Sequence, residues 1–136
     1  MKKLIINTDG GSRGNPGPAG IGVVIRDEQE HIVFEHGTYI GHNTNNVAEY
    51  SALIKALETA RDMQATDLLV RMDSELIVKQ MQGLYKIKEP SLQALASKVL
   101  TLNKHFNSVK FTHVRRELNK EADFQVNKAL DAQASL

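Results

Sequence analysis

Leu4-Ile5-Ile6-Asn7-Thr8-Asp9-Gly10-Gly11-Ser12-Arg13-Gly14-Asn15-Pro16-Gly17-Pro18-Ala19-Gly20 is the stretch whose reading decides the fold. Its first five residues are a short, Ile-rich run read as a strand from Leu4 to Thr8. Asp9 ends that strand, and Gly10, Gly11 and Ser12 open a glycine-rich loop that runs on to Gly20. The loop lacks the Gly-Lys-Ser/Thr ending of a P-loop and leads into a strand, not a helix, so it is not a nucleotide cradle of that kind. Two readings stand: a flexible hairpin loop, or glycines that let backbone N–H groups approach a sugar-phosphate or 2′-hydroxyl, with Ser12 and Asn15 adding hydrogen bonds.

Outward from this stretch, Ile21–Arg26 and Ile32–Ile40 read as two further strands across the charged turn Asp27-Glu28-Gln29-Glu30, and short connections make the three an antiparallel meander. The apolar period then lengthens: Val47, Tyr50, Ile54, Leu57 and Met63 form a helical stripe from Val47 to about Asp62. Asp67–Met72 returns to strand. Ser74–Gln82 is a short helix with Ser74 as N-cap and Gly83 past its end. Ser91–His105 is a longer helix, Val109–Val114 a fifth strand, and Asn119–Ala132 a closing helix. The order β-β-β-α-β-α-α-β-α predicts an α/β fold with a five-stranded mixed sheet, an antiparallel meander of strands 1–3 beside parallel strands 4 and 5, flanked by helices.

The chain has 136 residues, enough for one well-cored domain and too few for two, so residues 1–136 are read as a single domain. Hydrophobic residues are 41% and charged residues 24%, which excludes global disorder. Seventeen basic against 16 acidic residues give a formal charge of +1, so any nucleic-acid contact comes from a local patch. Absence of cysteine removes disulfides, thiolate zinc sites and thiol nucleophiles. The apolar start is cut short by Asn7, Thr8 and Asp9, well below the roughly 20 residues of a spanning helix. The expectation is a soluble, cytoplasmic monomer with no membrane partner.

Strand direction gathers the acids. With the first strand pointing up, the hairpin and the helical crossovers send strands three, four and five up as well. Asp9 ends strand one, Glu49 lies in the first turn of the helix after strand three, Asp73 ends strand four, and Asp123 lies in the first turn of the last helix. All four therefore meet at the edge where open α/β sheets bind ligands. Singly, each has an ordinary reading: Glu49 with Asn46 resembles a capping box, Asp73 and Asp123 suit helix starts, and Asp9 suits a turn. Together, packed like charges oppose folding unless cations sit among them. Carboxylates without Cys or a His pair at ligand spacing suit Mg²⁺ or Mn²⁺. Two such ions about 3.5–4 Å apart can activate a water and stabilise the leaving oxygen of a phosphodiester. Thr44-Asn45-Asn46 sits at the same edge, either as a helix cap or as a phosphate and minor-groove contact. The five histidines, His31, His36, His42, His105 and His113, form no metal-ligand pattern.

These segments, in this order, strongly resemble type 1 ribonuclease H. The matches are Thr8-Asp9-Gly10-Gly11-Ser12-Arg13-Gly14-Asn15-Pro16-Gly17-Pro18, then Thr44-Asn45-Asn46-Val47-Ala48-Glu49-Tyr50. Asp73-Ser74 with Gly83-Leu84-Tyr85-Lys86 follows, and Asn119-Lys120-Glu121-Ala122-Asp123 closes the set. The resemblance runs nearly end to end. It implies a nuclease that cleaves the RNA strand of RNA–DNA hybrids with two divalent ions, leaving 5′-phosphate and 3′-hydroxyl ends. It implies Asp9, Glu49, Asp73 and Asp123 as metal ligands, and Gly10, Gly11, Ser12, Asn15, Thr44, Asn45 and Asn46 as substrate contacts.

Two departures mark a compact subgroup. Many members carry a histidine in the loop before the last Asp; here that loop reads Val114-Arg115-Arg116-Glu117-Leu118-Asn119, and Arg116 is the residue implied in its place. Many relatives also insert a basic, Trp-bearing protrusion that grips the DNA strand. This chain has no Trp, and Gly83-Leu84-Tyr85-Lys86-Ile87-Lys88-Glu89-Pro90 offers only a reduced version through Tyr85, Lys86 and Lys88. Two rival functions remain open: a nuclease on double-stranded RNA, and a nucleic-acid-binding module of the same fold without hydrolysis.

Overall fold

Alternation along the first strand sorts its side chains to two sides. Leu4 and Ile6 enter the main apolar core, whereas Asn7 on the opposite parity hydrogen-bonds a residue at the start of the last helix. This strand, β1 (Lys3–Ser12), is central in the sheet; the structure is a computed structural model describing residues Met1–Leu136. It pairs antiparallel with β2 (Gly17–Arg26), which pairs antiparallel with β3 (Ile32–Asn43). On its other side it pairs parallel with β4 (Asp67–Met72), and β4 pairs parallel with β5 (Ser108–His113). The sheet order is β3-β2-β1-β4-β5, the mixed sheet predicted from the sequence.

Helices α1 (Asn45–Asp62), α2 (Glu75–Met81) and α3 (Pro90–Asn103) cover one face. Tyr50, Leu53 and Leu57 of α1, Ile77 of α2 and Val99 of α3 close the core over Leu4, Ile6, Val23, Leu68 and Val70. The other face is covered by α4 (Lys120–Ala134), whose buried residues are Ala122, Gln125, Val126 and Leu130. No helix is long and apolar enough to cross a membrane.

The glycine-rich stretch differs from its sequence reading. β1 continues through Asp9 to Ser12 and β2 starts at Gly17, so the loop shrinks to residues 13–16 and Asp9 sits inside the strand. The reason is close packing. A Cβ on Gly10 would collide with the Ala48 carbonyl and the Glu49 nitrogen, so glycine there lets α1 lie against β1. In the remaining turn, Gly14 takes φ +81°.

Helix starts also need correction. Thr44, not Asn46, is the N-cap of α1: its hydroxyl accepts from the Val47 N–H at 3.2 Å. Glu49 consequently lies in the second turn and takes no part in a capping box. Ser74 caps α2 as expected, accepting from Ile77 N–H at 3.3 Å. α3 starts one residue early because Pro90 suits the first helical position. Asn119 is the residue before α4, preceded by a 3₁₀ turn at Arg116–Leu118.

Candidate active site

Four elements deliver the four acids to one cleft. Asp9 comes from β1, Glu49 from the second turn of α1, Asp73 from the residue after β4, and Asp123 from the first turn of α4. Carboxylate oxygens of Asp9, Glu49 and Asp73 all lie within 4.8 Å of one another. Asp123 lines the same cleft, close enough for its charge to act on Asp9. The cleft has a volume of about 430 Å³ and is also lined by Gly10, Gly11, Ser12, Asn45 and Arg116.

The electrostatics are those of a crowded, buried anionic site. Burial, then the charges of Asp73 and Asp123, pushes Asp9 from 3.8 up to about 8. Burial raises Glu49 well above its ordinary value, and the charges of Asp9 and Asp73 add to that. Burial also raises Asp73, opposed by the neighbouring Arg116 guanidinium and by His113. Asp9 is 9% exposed and Glu49 8%, and Oε1 of Glu49 is buried with no hydrogen-bond partner. A hard divalent cation fits this set: oxygen donors only, clustered, with one buried carboxylate oxygen unpartnered.

The polar turn forms a second tier at the cleft edge. Oδ1 of Asn45 accepts from the Ser12 N–H at 2.8 Å and from its hydroxyl at 3.2 Å. Oδ1 of Asn15 accepts from the Asn45 N–H at 3.0 Å. Both amide oxygens are therefore used internally, and the outward ends of Asn15 and Asn45 are N–H donors. Thr44 spends an acceptor position on its cap.

Tyr85 and Lys86 stand apart from the carboxylates. They line a separate groove of about 520 Å³ with Lys88 and Asn46, so Asn45 and Asn46 face different depressions. Nζ of Lys79 sits 5.4 Å from the Tyr85 ring centroid, adding a cation to the pair expected from the sequence. His113 ends β5 with Nδ1 3.9 Å from Glu75.

Two supports were not legible in the sequence. Asn119, fully buried, donates from Nδ2 to the Thr8 carbonyl at 2.9 Å and accepts at Oδ1 from Asn7 Nδ2 at 2.9 Å. Arg13 reaches across to α4, where it meets Asp131 at 2.6 Å and Asn127 at 3.3 Å. Both are long-range pairings that no local spacing signals.

Comparison with known proteins agrees with this architecture. The family model described as "Reverse transcriptase-like" matches residues 7–129. The chain is 44% identical over 133 residues to a bifunctional protein of Mycobacterium tuberculosis, covering 97% of this chain and 36% of that protein. It is 45% identical over 123 residues to ribonuclease HI of Halobacterium salinarum, covering 90% of this chain and 62% of the relative. The chain thus spans about a third of the length of the first curated relatives it matches. Among solved structures, LC11-RNase H1 from compost, in complex with an RNA/DNA hybrid, superimposes with a TM-score of 0.93 at 50% identity, over 96% of this chain and 99% of that one. On the strength of that matched model and of half-identity along the whole of an RNase H1 structure, the chain belongs to the type 1 ribonuclease H family.

Proposed function

We propose that residues 1–136 act as one domain, an endonuclease that hydrolyses the RNA strand of RNA–DNA hybrids with divalent cations. The observation that carries this reading is the convergence of Asp9, Glu49 and Asp73 within 4.8 Å, with Glu49 Oε1 buried and unpartnered. Such a cluster opposes folding when empty and repels a phosphodiester, so its use requires positive charge. Asp9, Glu49, Asp73 and Asp123 are the side chains that would hold Mg²⁺ or Mn²⁺, two ions in all. When bound, these cations supply activation of the attacking water and neutralisation of charge on the phosphate.

The rest follows from the chain's own groups. The outward N–H donors of Asn15 and Asn45 match the 2′-hydroxyl and the acceptors of the minor groove, which is wide and shallow in an A-like helix. Shape and 2′-hydroxyls then give recognition with little base preference. Gly10, Gly11 and Ser12 line the cleft where the strand must approach, Thr44 stands next to the cleft-lining Asn45 in the chain, and Asn46 lines the neighbouring groove with Tyr85 and Lys86. Arg116, a donor-only cation facing Asp73, holds a phosphate oxygen at the cleft and eases departure of the 5′-phosphate product. Tyr85, Lys86 and Lys88 track the DNA strand by stacking and charge. In the reaction, the oxygen of water bonds to phosphorus and the P–O3′ bond breaks. The attacking water gives up a proton to the medium, and the 3′-oxygen takes one from it to leave as a hydroxyl.

Labelled hybrid, duplex RNA and duplex DNA, each incubated with Mg²⁺ or Mn²⁺, test the proposal. Cleavage of the RNA strand of the hybrid, with 5′-phosphate ends on the products, supports it. Preferred cutting of duplex RNA, or hybrid binding with no cutting under either ion, overturns it in favour of one of the rival functions.

A further inference from the structure

Asp123, Asn127 and Asp131 recur at one-turn intervals along α4 and therefore share one face. Nη2 of Arg13 lies 2.6 Å from Oδ1 of Asp131 and donates to Oδ1 of Asn127 at 3.3 Å. Asn127 in turn donates from Nδ2 to Oδ2 of Asp123 at 3.3 Å and to the Asp123 carbonyl at 3.1 Å. A continuous polar path thus runs from Asp131 through Arg13 and Asn127 to one oxygen of Asp123. Arg13, Asn127 and Asp123 all border the acidic cleft.

The direction of each bond fixes the next. A guanidinium has donors and no acceptor, so it tolerates only the oxygen end of the Asn127 amide. That choice turns the Asn127 NH₂ toward Asp123. The reversed amide would set oxygen against carboxylate and NH₂ against guanidinium, two repulsive contacts in place of two bonds. Asp131 holds the guanidinium where this selection operates. One carboxylate oxygen of Asp123 is thereby tied back to α4, at the edge of the cleft that Asp9 also lines. Arg13 also starts the turn that carries Asn15, and its backbone N–H donates to the Pro18 carbonyl at 2.8 Å. The substrate-facing turn and the Asp123 carboxylate are mechanically joined.

We propose that Arg13 and Asn127 are positioning residues that orient the Asp123 carboxylate for divalent-cation binding and couple that orientation to the β1–β2 turn. This rests on the reading of Asp123 as a cation ligand given above. The ion pair contributes little to folding, because Arg13 and Asp131 side chains are 45% and 69% exposed. Removal of Arg13 therefore separates positioning from stability.

Two readouts decide it. In cation-free protein, the Asn127 side-chain NH₂ resonances are expected to be dispersed and slow to exchange, and to move to free-amide positions in Arg13→Ala at an unchanged unfolding temperature. By calorimetry, Arg13→Ala and Asn127→Ala each weaken Mn²⁺ binding about 10-fold, the scale of lost support to a metal ligand. The double variant is no weaker than Asn127→Ala, and kcat falls while the hybrid KM holds. Asn127 resonances indifferent to Arg13→Ala, or Mn²⁺ affinities equal to wild type, overturn the inference. Wild-type protein that binds no Mn²⁺ overturns the functional reading instead, and the resonances in cation-free protein then decide the amide lock alone.

Discussion

Nδ2 of Asn119 donates to the carbonyl of Thr8 at 2.9 Å, tying the residue before Asp9 to the residue one turn before Asp123. Asn7 closes the link by donating to Asn119 Oδ1 at 2.9 Å. The distance between two of the acids is therefore set by a buried amide pair, not by the acids themselves, which repel.

Asn119→Ala removes the side-chain donor to the Thr8 carbonyl and leaves the Asn7 amide only its 3.5 Å contact with the Leu118 carbonyl, in a dry setting. Unpaired buried polar groups cost about 1–3 kcal/mol each, so a loss of roughly 2–4 kcal/mol is expected. Urea denaturation of wild type and variant reads it directly, as a lower midpoint with an unchanged slope.

The raised acids make the cation-free protein less stable as pH increases. Asp9, moved from 3.8 to about 8, keeps in the folded state a proton that the unfolded chain releases. Where the native state binds more protons than the unfolded one, stability falls with rising pH. Glu49 and Asp73 act in the same direction. In chelator, the unfolding temperature should drop from about pH 5 to about pH 8, and Asp9→Asn should flatten that slope and unfold later than wild type at the upper end. Mg²⁺ restores the wild type there and leaves the variant nearly unmoved. Thermal melts across this range check all three outcomes.

Gly10→Ala forces its new Cβ into the backbone at Ala48 and Glu49. Helix α1 must shift, at about 1–3 kcal/mol for overpacking. Because Glu49 rides on the displaced turn, kcat should fall on the order of 10²-fold, the scale of an ångström misplacement. Hybrid cleavage kinetics alongside a melt separate the two effects.

That glycine shows where sequence reading stops. Ile-rich alternation placed β1, and strand direction with helical crossovers brought Asp9, Glu49, Asp73 and Asp123 to one edge, because those inferences need only local pattern and topology. Gly10 reads as loop because the loss of a side chain that signals a turn also signals a helix packed close, and only tertiary contact separates the two. Thr44 and Asn46 are both competent caps, and the fold chose the one nearer the strand. Asn119 and Arg13 find partners more than a hundred residues away, beyond any periodicity.

Variants at Arg116 and Lys86 are expected to separate turnover from grip. Arg116→Ala is expected to slow kcat about 10-fold or more with little change in hybrid affinity, since it faces Asp73 inside the cleft. Lys86→Ala, in the outer groove, should weaken binding across all sequences and lower the salt slope of log K by about 1. Steady-state kinetics and salt-dependent binding on one hybrid distinguish them.

The most direct measurement is RNA-strand cleavage of a labelled hybrid by wild type, Asp9→Asn and Asp73→Asn, with Mg²⁺, with Mn²⁺ and with chelator. Cutting by wild type with either ion, none in chelator, and a loss of at least about 10²-fold in each variant are expected. Cleavage that persists in chelator, or that both variants retain in full, contradicts cation-dependent hydrolysis at these carboxylates.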